Sequence, residues 1–254
     1  MKLRICHLYG GHMNIYGDDG NIITIVKRCQ WRGIETSVET VNIGDKINSD
    51  RFDFYFFGGG QDQQQVAVSA DLKKANGKLL KKAVQEGAVV FTVCGGYQLM
   101  GHYYQPADGS QLAGVGLLDV ITIAGKNRMI GNIIIELAPE LKESIRKTYK
   151  SQGLSLNLIG FENHSGQTFL GRNVKPLGKV ITGFGNNGRD KTEGAYSGNV
   201  FGCYLHGSVL PKNPHFADFL IEKALMRKYG KVNLSKLDDS AEWQTHKQLL
   251  SKFG

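Results

Sequence analysis

No apolar run in this 254-residue chain comes near the roughly 20 residues that cross a bilayer. The opening, MKLRICHLYGGHMN, enters a short strand-like stretch with neither a long apolar leader nor a small-residue cleavage site. No transmembrane segment or export signal is expected, and the chain reads as cytoplasmic. Cysteine is scarce: Cys6, Cys29, Cys94 and Cys203 stand apart with no C-x-x-C spacing, which argues against a disulfide framework and a structural zinc site. No metal site is expected. No G-x-x-x-x-G-K-[ST] loop occurs either, so the phosphates of a nucleoside triphosphate have no P-loop cradle here. Proline-rich or low-complexity linkers and internal repeats are missing as well.

What is present begins with charge. The formal net charge is +8, concentrated partly in RKYGK and in the tail THKQLLSKFG. A basic balance suits acidic partners or an anionic membrane face, but the aromatic interleaving and motifs of a nucleic-acid binder are absent. The excess reads as a solvated basic surface, with no nucleic-acid partner. With 41% hydrophobic and 21% charged residues, the composition is that of a folded globular protein long enough to bury a full core.

The first hundred residues alternate strand and helix signals. LRICHLY reads as a strand. NIITIVKRCQWRG sets Ile22, Ile25, Val26 and Cys29 at the i, i+3, i+4, i+7 spacing of a helix that stops at Gly33. IETSVETV alternates like a strand. FDFYFFGGG and AVVFTV are continuous apolar runs suited to strands buried on both faces, and the helix LKKANGKLLKKAVQEG between them ends at Gly87. This order predicts an α/β fold, a doubly wound, mostly parallel sheet flanked by helices, with its ligand site beyond the carboxyl ends of the strands. From Gly114 to about Phe201, short strand-like runs (VGLLDVITIA, GNIIIEL, LNLIGF, KVITGF) surround a helix-like ELKESIRKTY and read as a continuation of that sheet. PHFADFLIEKALMRKYG is a further helix. One domain over residues 1–230 followed by a basic, helical tail over 231–254 is the expected organisation.

VVFTVCGGYQLMG, residues 89–101, is the most informative stretch. A run rich in β-branched residues ends on Cys94, meets Gly95 and Gly96, and turns into a helical pattern. A strand-to-helix elbow projects its apex side chain outward and aims the following N–H groups at whatever that side chain attacks. The small residues make the turn sterically possible, and the positive end of the ensuing helix favours thiolate over thiol. A free cysteine is most often a core residue, which is the reading for Cys6, Cys29 and Cys203. At Cys94 the glycine pair and the break coincide, and the thiol reads as a nucleophile. Such a group needs an imidazole to take and return protons. His206, closing NVFGCYLHG, and His164, in GFENHSGQT, both qualify by position. An acyl-transfer site also needs donors for the oxyanion, each worth roughly 3 kcal/mol. The N–H of Gly95 is the expected first donor. The glycine triplet of FFGGGQD supplies the second, with Gly59 as donor and Gly60 close to the substrate.

Cys94-Gly95-Gly96-Tyr97-Gln98 resembles the nucleophile motif of the class I glutamine amidotransferases, and the GGG ahead of it and the YLHG behind it match in order across the domain. Within that class, NIYGDDGNI, FGGGQDQQQ, TVCGGYQLMG, GFENHSGQT and GNVFGCYLHG are similar to the cobyric-acid-synthase-like (CobB/CobQ) branch, and inside it to the glutaminase subunits of lipid II isoglutaminyl synthases. The resemblance implies a flavodoxin-like amidotransferase domain, a thiolate at Cys94 that attacks the side-chain amide of L-glutamine, and His206 in preference to His164 as proton carrier. It implies Gln98 at the amino-acid end of glutamine and Arg128, in AGKNRMIG, on the α-carboxylate, where a planar fork fits. It further implies a heterodimer with a Mur-ligase-like, MurT-type synthetase that binds ATP and Mg²⁺, holds lipid II as acceptor at the inner face of the membrane, and uses the ammonia to make D-isoglutamine. No cofactor is expected in this chain.

Two positions depart from the pattern: many relatives carry Glu two residues after the histidine, where this chain has Ser208, and Gly where it has Thr92. The acid partner of the imidazole is therefore open. It is absent, or supplied by Glu162, or supplied by the partner subunit on docking. Asp18 and Asp19 in YGDDGN read first as turn residues at the rim of the site. An amidotransferase acting on a cobyrinate-like acceptor and a non-catalytic interaction protein of the same fold are the other readings.

Overall fold

The computed structural model describes residues 1–149 and 156–254. The chain begins with β1 (Lys2–Leu8), α1 (Asp19–Gln30), β2 (Glu35–Val41), β3 (Phe54–Phe57), α2 (Asp62–Asp71), α3 (Gly77–Gln85), β4 (Val89–Val93) and α4 (Gly95–Met100). It continues through β5 (Tyr103–Gln105), β6 (Leu112–Ala113), β7 (Val120–Leu137), α5 (Pro139–Tyr149), β8 (Asn157–Leu170), β9 (Gly178–Thr182) and β10 (Thr192–Glu193). It closes with β11 (Ala195–Ser197), β12 (Val200–Cys203), α6 (Val209–Lys212), α7 (Pro214–Tyr229) and α8 (Ser240–Phe253).

One sheet has the order β11-β12-β4-β3-β1-β2, parallel throughout except for the edge strand β11. Its central strands explain the architecture. Every residue of β3 and β4 is buried, so both faces need cover, and helices supply it. The stripe expected on α1 turns inward, with Ile22, Ile25 and Cys29 buried. The helix expected from residue 72 starts earlier, at Asp62, and passes through a π turn at Leu72–Asn76 before α3. Asn76 Nδ2 donates to Asp71 Oδ2 at 2.9 Å and to the Asp45 carbonyl at 2.8 Å, side-chain bonds that hold the widened turn.

From Gly114 to Glu193 the chain does not extend this sheet, contrary to the expectation from its pattern; only β11 and β12, at the end of that stretch, join it. The strands between, β7 to β10, build most of a second sheet, ordered β10-β9-β7-β5-β6 with β8 pairing β7, antiparallel except for the β5–β7 pair. VGLLDVITIA and GNIIIEL fall largely on a single 18-residue strand, β7, with an irregular register between Ala124 and Met129. Two long strands such as β7 and β8 pair along their length as antiparallel neighbours, whereas each added parallel strand needs a crossover of a dozen residues or more.

Register in the first sheet aligns the strand ends that matter. Phe57 pairs with Thr92, and Val93 with Cys203, so Gly58, Cys94 and the His206 loop emerge at one carboxyl edge. The loop after β1 reaches the same edge.

The segment beyond Gly230 is tied to the body. The Arg28 guanidinium, 1% exposed, donates to Asp218 of α7 and to Asp239 just before α8, at 2.7–3.0 Å. Trp243 of α8 stacks on His215 of α7 with centroids 5.2 Å apart, and His246 Nδ1 lies 2.8 Å from the Lys212 carbonyl oxygen. The Lys212 ammonium donates to the carbonyls of Gly207 and Ser208. The last helix thus bears on the loop that carries His206. Among the described residues, no helix is long and apolar enough to cross a membrane.

Candidate active site

Cys94 joins β4 to α4 with φ 50° and ψ −109°, a conformation that costs a non-glycine residue on the order of 1–3 kcal/mol. The surroundings impose it. Its N–H donates to the Cys203 carbonyl at 2.8 Å, its carbonyl accepts the Gln98 N–H at 2.9 Å, and the Gly96 N–H donates to the Gly58 carbonyl at 3.1 Å. A Cβ on Gly96 would lie 2.4 Å from the Phe57 carbonyl oxygen, so only glycine lets α4 start this close to β3. Gly95, as the first residue of α4, has an N–H without an intrahelical acceptor. Cys94 keeps 6% exposure and opens on a cleft of about 560 Å³. The other thiols belong to the core: burial pushes those of Cys6 and Cys203 well above the ordinary range and that of Cys29 to about 12.

His206, wholly buried, is the imidazole at Cys94. The two side chains share one small space, because a Cβ on Gly59 would sit 2.8 Å from His206 Cε1 and 3.3 Å from Cys94 Cβ. Nδ1 lies 3.2 Å from Asp18 Oδ1, while Nε2 has no nitrogen or oxygen partner and is left to the sulfur. Burial by itself would lower the pKa of His206, but Cys94 and Asp18 outweigh burial and raise it to about 10. The residue is also held through its backbone: His206 and Phe161 exchange N–H···O bonds of 2.7 and 3.2 Å, which joins the parallel sheet to β8.

Of the residues expected at the site, Cys94, Gly60, Gln98 and Arg128 line the cleft. Gln98 is 3% exposed, donates Nε2–H to Tyr204 Oη at 3.1 Å, and leaves Oε1 without a partner. Arg128 donates from Nε to Asn163 Oδ1 and from Nη2 to Tyr16 Oη at 3.3 Å. The Tyr16 ring meets His206 edge-on, 4.9 Å between centroids.

Two expectations are corrected. The Gly59 N–H donates to Asp18 Oδ2 at 2.8 Å, so it is not available to an oxyanion. The next amide, that of Gly60, carries no hydrogen bond among the described residues and belongs to the cleft wall. Glu162 is not the acid at His206. Its carboxylate accepts the N–H groups of Phe184 and Gly185 at 2.6 and 2.9 Å and lies 3.6 Å from His164 Nε2. Along β8 it is the Phe161 backbone that meets His206, while the Glu162 side chain is taken up by the loop after β9.

Sequence reasoning missed three features of this cleft. His164 stacks flat on Tyr204, 3.5 Å between centroids, with Nδ1 2.8 Å from the Gly166 carbonyl. Tyr104 Oη donates to Asp62 Oδ1 at 3.1 Å. Asp18 is fully buried against His206. The sequence places His164 near the site as a candidate imidazole and Asp18 as a turn residue at its rim. The stack of the one on Tyr204 and the buried contact of the other with His206 have no local signature, and the Asp-Asp-Gly composition of the loop after β1 favours the turn reading.

A thiol at a helix N-terminus, an imidazole beside it, a free Gly60 amide at the cleft wall and the unpaired first N–H of the helix are the parts of an amide-hydrolysing site. Residues 4–214 match the CobB/CobQ-like glutamine amidotransferase domain family. This chain belongs to that family. It is 37% identical, over 99% of its own length and 96% of the relative's, to a Staphylococcus aureus (strain N315) protein named lipid II isoglutaminyl synthase (glutamine-hydrolyzing) subunit GatD. The Streptococcus pneumoniae (strain ATCC BAA-255 / R6) protein of the same name is 39% identical over 94% of this chain and 86% of that one. A solved glutamine amidotransferase structure from Thermotoga maritima superimposes with a TM-score of 0.55 at 16% identity, covering 98% of this chain and 92% of that one, which bears on the fold alone. As a CobB/CobQ-like glutamine amidotransferase, the chain is a glutamine-hydrolysing enzyme on a mixed α/β class I amidotransferase fold.

Proposed function

We propose that this chain is the glutaminase subunit of a lipid II isoglutaminyl synthase. It hydrolyses L-glutamine and passes the ammonia to a Mur-ligase-like, MurT-type subunit, which amidates the D-glutamate of lipid II to D-isoglutamine. The near-complete coverage of two GatD subunits carries this reading.

Glutamine lies in the cleft with its α-carboxylate on Arg128, its amino-acid end near Gln98 and its side-chain amide at Cys94. The Cys94 thiolate bonds to the amide carbon, the carbonyl electron pair moves onto oxygen, and the N–H groups of Gly95 and Gly60 receive that charge. His206 gives a proton from Nε2 to the nitrogen, the C–N bond breaks, and ammonia leaves a γ-glutamyl thioester. Water then loses a proton to His206 and adds to the thioester, and collapse releases glutamate and restores the thiolate. In neutral water most ammonia is protonated and no longer nucleophilic, so direct delivery to the partner is part of the reading. ATP and Mg²⁺ act on the partner, and the assembly works in the cytoplasm at the inner face of the membrane.

Purified with its partner, the chain should drive glutamine- and ATP-dependent amidation of lipid II, read as the mass change from carboxyl to carboxamide in the stem peptide. Amidation with ammonium chloride but none with glutamine would show that this chain does not feed that partner. Arg128→Ala in the same chain should raise KM for glutamine roughly 10–100-fold with kcat changed far less, as loss of a charge-assisted ground-state contact does. A steady-state glutaminase assay with unchanged KM would remove Arg128 from the binding site.

A further inference from the structure

We propose that Asp18 is the positioning residue of this site, one carboxylate that fixes His206 with one oxygen and tethers the glycine loop with the other. The inference rests on the reading of Cys94 and His206 as the hydrolytic pair. Asp18 Oδ1 lies 3.2 Å from His206 Nδ1, and Oδ2 accepts the Gly59 N–H at 2.8 Å, with the whole residue at 0% exposure. A carboxylate is an acceptor only, so Nδ1 must carry the proton in the neutral ring, which leaves the Nε2 lone pair for the sulfur. Holding Gly59 fixes the adjacent Gly60, whose N–H is the free amide at the cleft.

The local structure supports the assignment from a second side. Two residues beyond His206, Ser208 donates its hydroxyl to the Gly17 carbonyl, and a Cβ on Gly20 would lie 2.1 Å from Ser208 Oγ. Position 208 therefore clamps the His206 loop onto the loop that bears Asp18, so the acid reaches the ring from the other strand end. The groups facing the imidazole are Cys94 from the β4–α4 elbow, Asp18 and the Tyr16 ring from the loop after β1, and, more remotely, Glu193 from β10. Glu193 is engaged by the Tyr204 N–H at 2.5 Å, and Glu162 by Phe184 and Gly185. Asp18 alone among these carboxylates touches the ring. The partner subunit is not required to supply the acid.

The test compares the full chain with its Asp18→Asn variant in a glutaminase assay across pH, alongside ¹⁵N NMR of the His206 ring. An amide there can present N–H to Nδ1, which selects the wrong tautomer. The variant should lose roughly 10²–10⁴-fold in kcat with KM changed about threefold at most. Because the active ion pair needs an imidazolium, the alkaline limb of its kcat profile should move to lower pH by about one unit or more. In the wild type, Nδ1 should stay protonated through neutrality. A variant with wild-type kcat and an unmoved alkaline limb overturns the proposal. So does a wild-type ring with its neutral proton on Nε2, a measurement that decides the matter even if the variant fails to fold. A wild-type chain that hydrolyses no glutamine yet shows Nδ1 protonated and a high ring pKa would refute the hydrolytic reading and leave the placement of Asp18 standing.

Discussion

Cys94→Ala should lower glutamine hydrolysis roughly 10⁴–10⁶-fold, while the assembled enzyme keeps its ammonia-driven amidation. Only the source of ammonia depends on the sulfur, so the two activities separate cleanly if the proposed division of labour holds. Loss of both in a folded complex would instead give Cys94 a part in assembly. The backbone makes a second readout available. Cys94 holds φ at 50°, where a Cβ is strained and glycine is not. Cys94→Gly should therefore be as inactive as Cys94→Ala yet more stable than wild type by about 1 kcal/mol, part of the strain being released. Chemical denaturation of both variants measures this. A Cys94→Gly chain less stable than Cys94→Ala would mean that the elbow is not under strain.

The largest stability effect is expected at Arg28→Ala. Arg28 is buried between Asp218 and Asp239; burial opposes its charge, but the carboxylates outweigh burial and raise its pKa above the ordinary value. Asp218 would keep Arg32 as a partner, at 2.6 Å, whereas Asp239 would keep the neutral Tyr149 hydroxyl but no cation among the described residues. A buried carboxylate stripped of its cation costs about 3–5 kcal/mol, which for a chain of this size lowers Tm by roughly 6–20 °C. Because Asp239 immediately precedes α8, the loss should also open that helix to proteolysis before the rest of the chain. A Tm within about 2 °C of wild type would show that the cluster is hydrated and contributes little.

Some of this molecule was legible before its structure. The buried runs FYFF and VVFTV announced parallel strands because a strand covered on both faces has no room for polar residues. The spacing of Ile22, Ile25 and Cys29 announced α1 for the same kind of local reason. The second sheet was misread, since strand-like runs carry the same signature whichever sheet they join. Glu162 was a reasonable acid by composition and the wrong one by geometry, its oxygens already taken by Phe184 and Gly185.

By itself the sequence determined the elbow at Cys94: a β-branched run, a glycine pair and a helical pattern in direct succession leave the chain few other paths, because turn sterics act between neighbours. Only the tertiary structure decided which acid meets His206 and which glycine amide is free. Those answers depend on Asp18 and His206, 188 residues apart, being brought to one sheet edge by strand register, and no local preference encodes a register between distant strands.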